Sequence, residues 1–193
     1  MKKFNLFIVS LLVIIASVSP SSALASNEVL NDHVVIDETV IEEISEATDV
    51  DLTDVDLSNY EEEFDFLYED EVFLQLEEHL ILTEQDVSIH ENSVGGQWVP
   101  IAAAAIRLLT SKVGKEGMKK GWAIARPHVQ KAINAPNTYI LEGAGGGGRI
   151  IQVRLKKGGS VVFRLDYFPI KTGGKHVLHY HVPPNLGTHH TIF

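Results

Sequence analysis

The chain has no cysteine. That excludes disulfides, thiolate nucleophiles and cysteine-ligated zinc. It also lacks any Lys or Arg from Ser26 to Ser93, a stretch that holds 23 Asp and Glu. Acids then almost disappear: Val94 to Phe193 carries 14 Lys and Arg against Glu116, Glu142 and Asp166. With histidine neutral, that half is net +11. A pair of catalytic carboxylates is therefore not expected in it. Only one long apolar run occurs, Phe4 to Val18, and at 15 residues it is short for a span of about 20. No Gly-x-Ser-x-Gly elbow and no His-Glu-x-x-His pair is present. The glycine run Gly143 to Gly148 lacks the Lys-Ser/Thr of a phosphate-binding loop and leads into a strand. It reads first as a flexible connection.

Lys2 and Lys3 precede the apolar run, and Ala23-Leu24-Ala25 follows it. This is the pattern of a secretory signal, residues 1–25, cleaved near Ser26. The expectation is a secreted protein with no stable membrane span after cleavage.

Residues 26–93 interleave acids with apolar side chains such as Val34, Ile41, Ile44, Phe64, Leu67, Phe73 and Leu76. Their uncompensated charge argues for weak structure, because self-repulsion adds to the ordering cost. Two readings stay open: a propiece that masks the basic half, and a solvated acidic stalk. The aspartates from Asp49 to Asp56 lack the central glycine and spacing of a calcium loop.

Ser93-Val94-Gly95-Gly96 reads as a linker into a basic module, residues 94–193. Pro100 suits a first helical position, and Ile101 to Leu109 is apolar on most sides apart from Arg107, as in a buried helix. Lys115 to Ala125 predicts a basic amphipathic helix. Pro127 is expected to interrupt it before a short third helix through Ile133. After Thr138 the pattern alternates. Arg149 to Lys156 and Ser160 to Phe168 flank the tight turn Lys157-Gly158-Gly159, and His176 to Val182 is a further strand. The expected fold class is α+β: helices packed on a three- to four-stranded antiparallel meander, preceded by an acidic, partly disordered region.

Strand side chains alternate between faces. Val161, Phe163, Leu165 and Tyr167 share the core face, as do Leu178, Tyr180 and Val182. The opposite face gathers Arg154, Arg164, Asp166, His179 and His181. Imidazoles that exchange protons near neutral pH and arginines that stabilise a charged phosphate suit metal-independent RNA cleavage. These five are the catalytic candidates. Lys156, Arg149, His189 and His190 are the candidates for holding substrate. The plainer alternative is a solvated polar face. The same histidines allow a metal-bridged surface module, because His179-Tyr180-His181 sets two imidazoles on one strand face. The leading reading requires no metal and no cofactor.

The motifs also carry a resemblance. Pro100-Ile101-Ala102-Ala103-Ala104-Ala105, Pro136-Asn137-Thr138-Tyr139-Ile140-Leu141 and Gly145-Gly146-Gly147-Gly148-Arg149-Ile150 occur in order. Phe163-Arg164-Leu165-Asp166-Tyr167-x-Pro169, Leu178-His179-Tyr180-His181 and the ending His189-His190-Thr191-Ile192-Phe193 follow. Behind a signal and an acidic region, this set resembles a family of exported toxin-like proteins of Gram-positive bacteria. The resemblance covers about half the chain, from near Trp98 onward. It implies a secreted toxin with a cognate immunity protein in the producing cell, and it implies no particular reaction. The order of helices and meander is also similar to small ribonuclease toxins of the barnase, colicin-nuclease and RelE-like kind, a likeness of architecture alone. A different class of function is open too: membrane action by Ile101 to Leu109 with the basic Lys112 to Lys131 stretch.

Overall fold

The alternation after Thr138 forms an antiparallel sheet. Its strands are β1 (Tyr139–Glu142), β2 (Arg149–Leu155), β3 (Val161–Phe168), β4 (Val177–His181) and β5 (His190–Thr191), paired in chain order. The expected meander thus gains a fifth strand from the tail. The computed structural model describes residue 36 and residues 38–88 and 101–193. The proposed signal, the 93–96 linker and Pro100 lie outside the described residues.

The helices are α1 (Glu38–Thr48), α2 (Tyr60–Glu63), α3 (Asp65–Tyr68), α4 (Glu71–Ser88), α5 (Ile101–Val113) and α6 (Lys115–Asn134). α5 is buried on most sides, as its composition requires: Ala103, Ala104, Ala105, Ile106, Leu108 and Leu109 are all in the core. Its one mid-helix charge, Arg107, is paired with Glu77 of α4 at 3.1 Å.

α6 corrects an expectation. It runs unbroken through Pro127. A proline inside a helix costs about 3 kcal/mol. Against that, α6 buries Met118, Trp122, Ala125, Val129 and Ala132 along one stripe, and each large apolar side chain among them contributes about 1.5–3 kcal/mol. Packing outweighs the local preference. The helix also lies very close to the sheet at Gly121, where a Cβ would fall 2.9 Å from Leu178 Cδ2.

The acidic segment corrects another. Across 38–88 it is not weakly structured: four helices and the turns of residues 49–59 place Ile44, Val50, Leu52, Phe64, Leu67, Phe73 and Leu76 in the same core as α5 and α6. Phe73 meets Trp122 edge to face at 5.3 Å. Asp70 caps α4 through the Val72 amide (2.9 Å) and accepts hydrogen bonds from Trp122 Nε1 (3.1 Å) and Arg126 Nε (2.6 Å). Lys112 pairs with Asp54, and Lys115 with Asp65. Four ion pairs thus join the two halves across the helical layer. The acidic helices pack on α5 and α6, and these two pack on one face of the sheet. The other sheet face carries the polar residues.

Candidate functional site

Register decides which polar side chains meet. β3 and β4 pair so that Arg164 stands opposite His181 and Asp166 opposite His179. All four belong to the face turned away from the helices, because Phe163, Leu165 and Leu178 between them are buried in the core. Gln152 of β2 joins them opposite Arg164. The loop before β5 adds His189, whose ring lies 4.7 Å from that of His181 and 5.0 Å from that of His179. These groups line an open pocket of about 310 Å³, closed at its rim by Gly147, Phe168, Pro169 and Leu186.

Asp166 is the centre of the cluster. It is buried, and Arg164 Nε donates to its Oδ1 at 2.6 Å. Its Oδ2 lies 3.2 Å from His181 Nε2 and 3.8 Å from His179 Nε2. The far side of each ring is held by main chain. His179 Nδ1 contacts Val177 O at 3.0 Å, and His181 Nδ1 contacts Leu186 O at 2.7 Å. A carbonyl can only accept, so both Nδ1 atoms carry the proton and both Nε2 atoms face Asp166. Burial pushes His179 below the ordinary imidazole range, against the opposing pull of Val177 O and Asp166.

The glycine loop is held from the acidic side. Gly147 N donates to Asp49 Oδ2 at 2.9 Å, and Gly148 N to Thr48 O at 2.7 Å. Gly148 has φ +63°, and a Cβ there would lie 2.1 Å from Tyr167 O, so only glycine fits. Arg164 Nη2 reaches Gly146 O at 3.4 Å, which links this loop to the pocket.

Four of the five catalytic candidates therefore come together: His179, His181, Arg164 and Asp166. Arg154 does not. It is bound to Glu142, which also accepts from Gln152. Those hydrogen bonds outweigh burial and hold the Glu142 carboxyl below its usual range. Of the substrate-binding candidates, His189 is in the cluster. Arg149 turns to the glycine loop, donating to Gly143 O at 3.0 Å. Lys156 is exposed and reaches Pro136 O at 3.3 Å. His190 is on the other face, stacked on Tyr180 at 4.8 Å. Val161, expected in the core, lines the pocket because the β2–β3 register shifts between Val153 and Arg154.

Comparison with family models, curated proteins and solved structures finds no match.

The cluster holds two kinds of chemical capacity. Imidazoles beside a guanidinium can move protons around a phosphate. Ring nitrogens of His179, His181 and His189 also lie within 4.8 Å of one another, close enough to hold a metal ion. Sequence reading missed Gln152 as a pocket residue, the Leu186 carbonyl that fixes His181, and Asp49, which holds Gly147 of the rim. Only Gln152 had a signal, its shared parity with Arg154.

Proposed function

We propose that this protein is a secreted toxin whose sheet pocket cleaves RNA without a metal ion. One observation carries the reading: Arg164, Asp166, His179, His181 and His189 converge in a single open pocket. Four of them were expected on one sheet face for this chemistry.

In the proposed reaction the 2′-oxygen attacks the adjacent phosphorus and the bond from phosphorus to the 5′-oxygen breaks. The products are a 2′,3′-cyclic phosphate and a free 5′-hydroxyl. His189, exposed at the lip, takes the 2′-hydroxyl proton. His181, held between Leu186 O and Asp166, gives a proton to the leaving oxygen. Arg164 is anchored by Asp166 through Nε and reaches Gly146 O through Nη2, and its Nη1 is the group offered to the phosphate oxygens. Buried His179 lines the floor of the pocket beside Asp166. Lys171 is two residues from Pro169 at the rim and supplies exposed positive charge for a polyanion. A toxin of this kind carries with it an immunity protein in the producing cell.

The membrane-active reading is weaker. Ile106, Leu108 and Leu109 are buried in the core, and no helix among the described residues is long and apolar enough to cross a membrane.

The deciding experiment incubates the purified full chain with RNA, and with DNA of the same sequence, in EDTA. RNA should be cut to cyclic-phosphate ends and DNA left whole, since DNA lacks the 2′-hydroxyl. His181→Ala should lower the rate about 10²–10⁴-fold. Equal cutting of DNA, or full activity in His181→Ala and Arg164→Ala, would overturn the reading.

A further inference from the structure

We propose that the pocket is also a site for a divalent transition metal ion, zinc above all, ligated by His179, His181, His189 and Asp166. Zinc in this position is an inhibitor and not a cofactor. The inhibition rests on the ribonuclease reading, while the metal site stands independently of it.

The geometry is close to what zinc requires. Zinc–nitrogen bonds of about 2.0 Å put tetrahedral donors about 3.3 Å apart. Asp166 Oδ2 is 3.2 Å from His181 Nε2 and 3.8 Å from His179 Nε2. Two of the six donor-to-donor edges therefore stand near that length before any ion arrives. The three imidazole donors lie within 4.8 Å of one another. Asp166 is outside that three-histidine group, so the fourth donor is completed only when His189, exposed and on a loop, moves toward Asp166.

The outer contacts fit as well. Histidine ligands of a metal donate their other ring N–H to a carbonyl or carboxylate, which orients the lone pair. His179 does so to Val177 O and His181 to Leu186 O. The second oxygen of Asp166 is held by Arg164. With Nδ1 of His181 committed to Leu186, its Nε2 and Asp166 Oδ2 are bound together only by a shared cation, a proton or a metal ion. Three nitrogens and one carboxylate oxygen suit zinc, copper or nickel, and they offer magnesium and calcium too few oxygens.

The same geometry sets the consequence. Four protein donors fill a tetrahedral zinc, leaving no open position for a reactive water, as in structural sites. The ion also takes up the lone pairs that His181 and His189 need for proton transfer. RNA cleavage and zinc therefore exclude each other.

The test titrates zinc into the metal-free full chain by calorimetry, and cobalt in parallel by its visible absorption. One ion should bind per chain, with a tetrahedral cobalt spectrum and a raised melting temperature. His189→Ala should weaken zinc at least tenfold while melting normally without metal, since that side chain is exposed. His190→Ala, on the opposite face, should change nothing. No binding, or equal weakening by both variants, would overturn the site. RNA cleavage should fall as zinc fills the site and return with EDTA. Cleavage that needs zinc, or that continues with the site full, would overturn the inhibition. Zinc binding in a protein that never cuts RNA would leave the site standing and remove the ribonuclease reading.

Discussion

Arg107 and Glu77 form an ion pair at 3.1 Å across the helical layer, with the Glu77 side chain only 2% exposed. One partner comes from the basic half of the sequence and the other from the acidic half. Removing one partner of a buried pair costs about 3–5 kcal/mol, much of it from the stranded charge, whereas replacing both can be nearly neutral. Arg107→Met alone should therefore cost about 3 kcal/mol in urea unfolding. Adding Glu77→Leu should restore most of it. Independent, additive losses would show that the pair is incidental.

The pairing bears on truncation. A chain cut to residues 94–193 loses the partners of Arg107, Lys112, Lys115 and Arg126. It also uncovers Trp122 where Phe73 packs. Such a fragment should show no cooperative melting transition and should bind a hydrophobic dye. A sharp transition near that of the full chain would mean that the acidic helices are dispensable.

Acid should loosen the same layer at Asp70. Burial raises its pKa, but the hydrogen bonds from Arg126, Trp122 and Val72 prevail and hold it below the usual carboxylate range. A group lowered on folding stabilises the fold fully above its unfolded pKa. That stabilisation disappears as pH falls through the lower folded value. Asp70→Asn should thus cost about 1–3 kcal/mol at pH 7 and much less near pH 2. A constant difference across that range would contradict the assignment.

At the glycine loop, Gly148→Ala should cost more than about 2 kcal/mol, since it combines left-handed strain with a steric clash. The added Cβ would lie 2.1 Å from Tyr167 O. Gly158→Ala shares the positive φ but meets nothing within 4 Å, so it should cost only the strain. Chemical denaturation of both variants separates the two contributions.

Arg164→Lys keeps the charge but loses the planar fork that holds Asp166. RNA cleavage should drop about 10²-fold with little change in melting temperature. Unchanged cleavage would show that charge alone suffices there.

Much of the site was legible because strand parity is a local property. Arg164 and Asp166 are two residues apart in β3, as are His179 and His181 in β4, so one face had to carry each pair. Arg154 shares that parity on β2 but met an acid that parity does not reveal, Glu142 of β1. His189 and His190 are adjacent, and nothing local says which one faces the pocket. That depends on β5 pairing Tyr180 with His190, which sends His190 to the other face.

The change from helices to an antiparallel meander after Thr138, the apolar helix around Arg107 and the polar sheet face were settled by the sequence itself, because periodicity and alternation act between near neighbours in the chain. Tertiary structure decided the rest. It made the acidic segment part of the core, since side chains such as Phe73 pack on helices distant in sequence, here on Trp122. It carried α6 through Pro127, because the buried stripe offset the lost hydrogen bond. It also gathered three histidines and one aspartate into one pocket, which required strands and a loop from separate parts of the chain to meet.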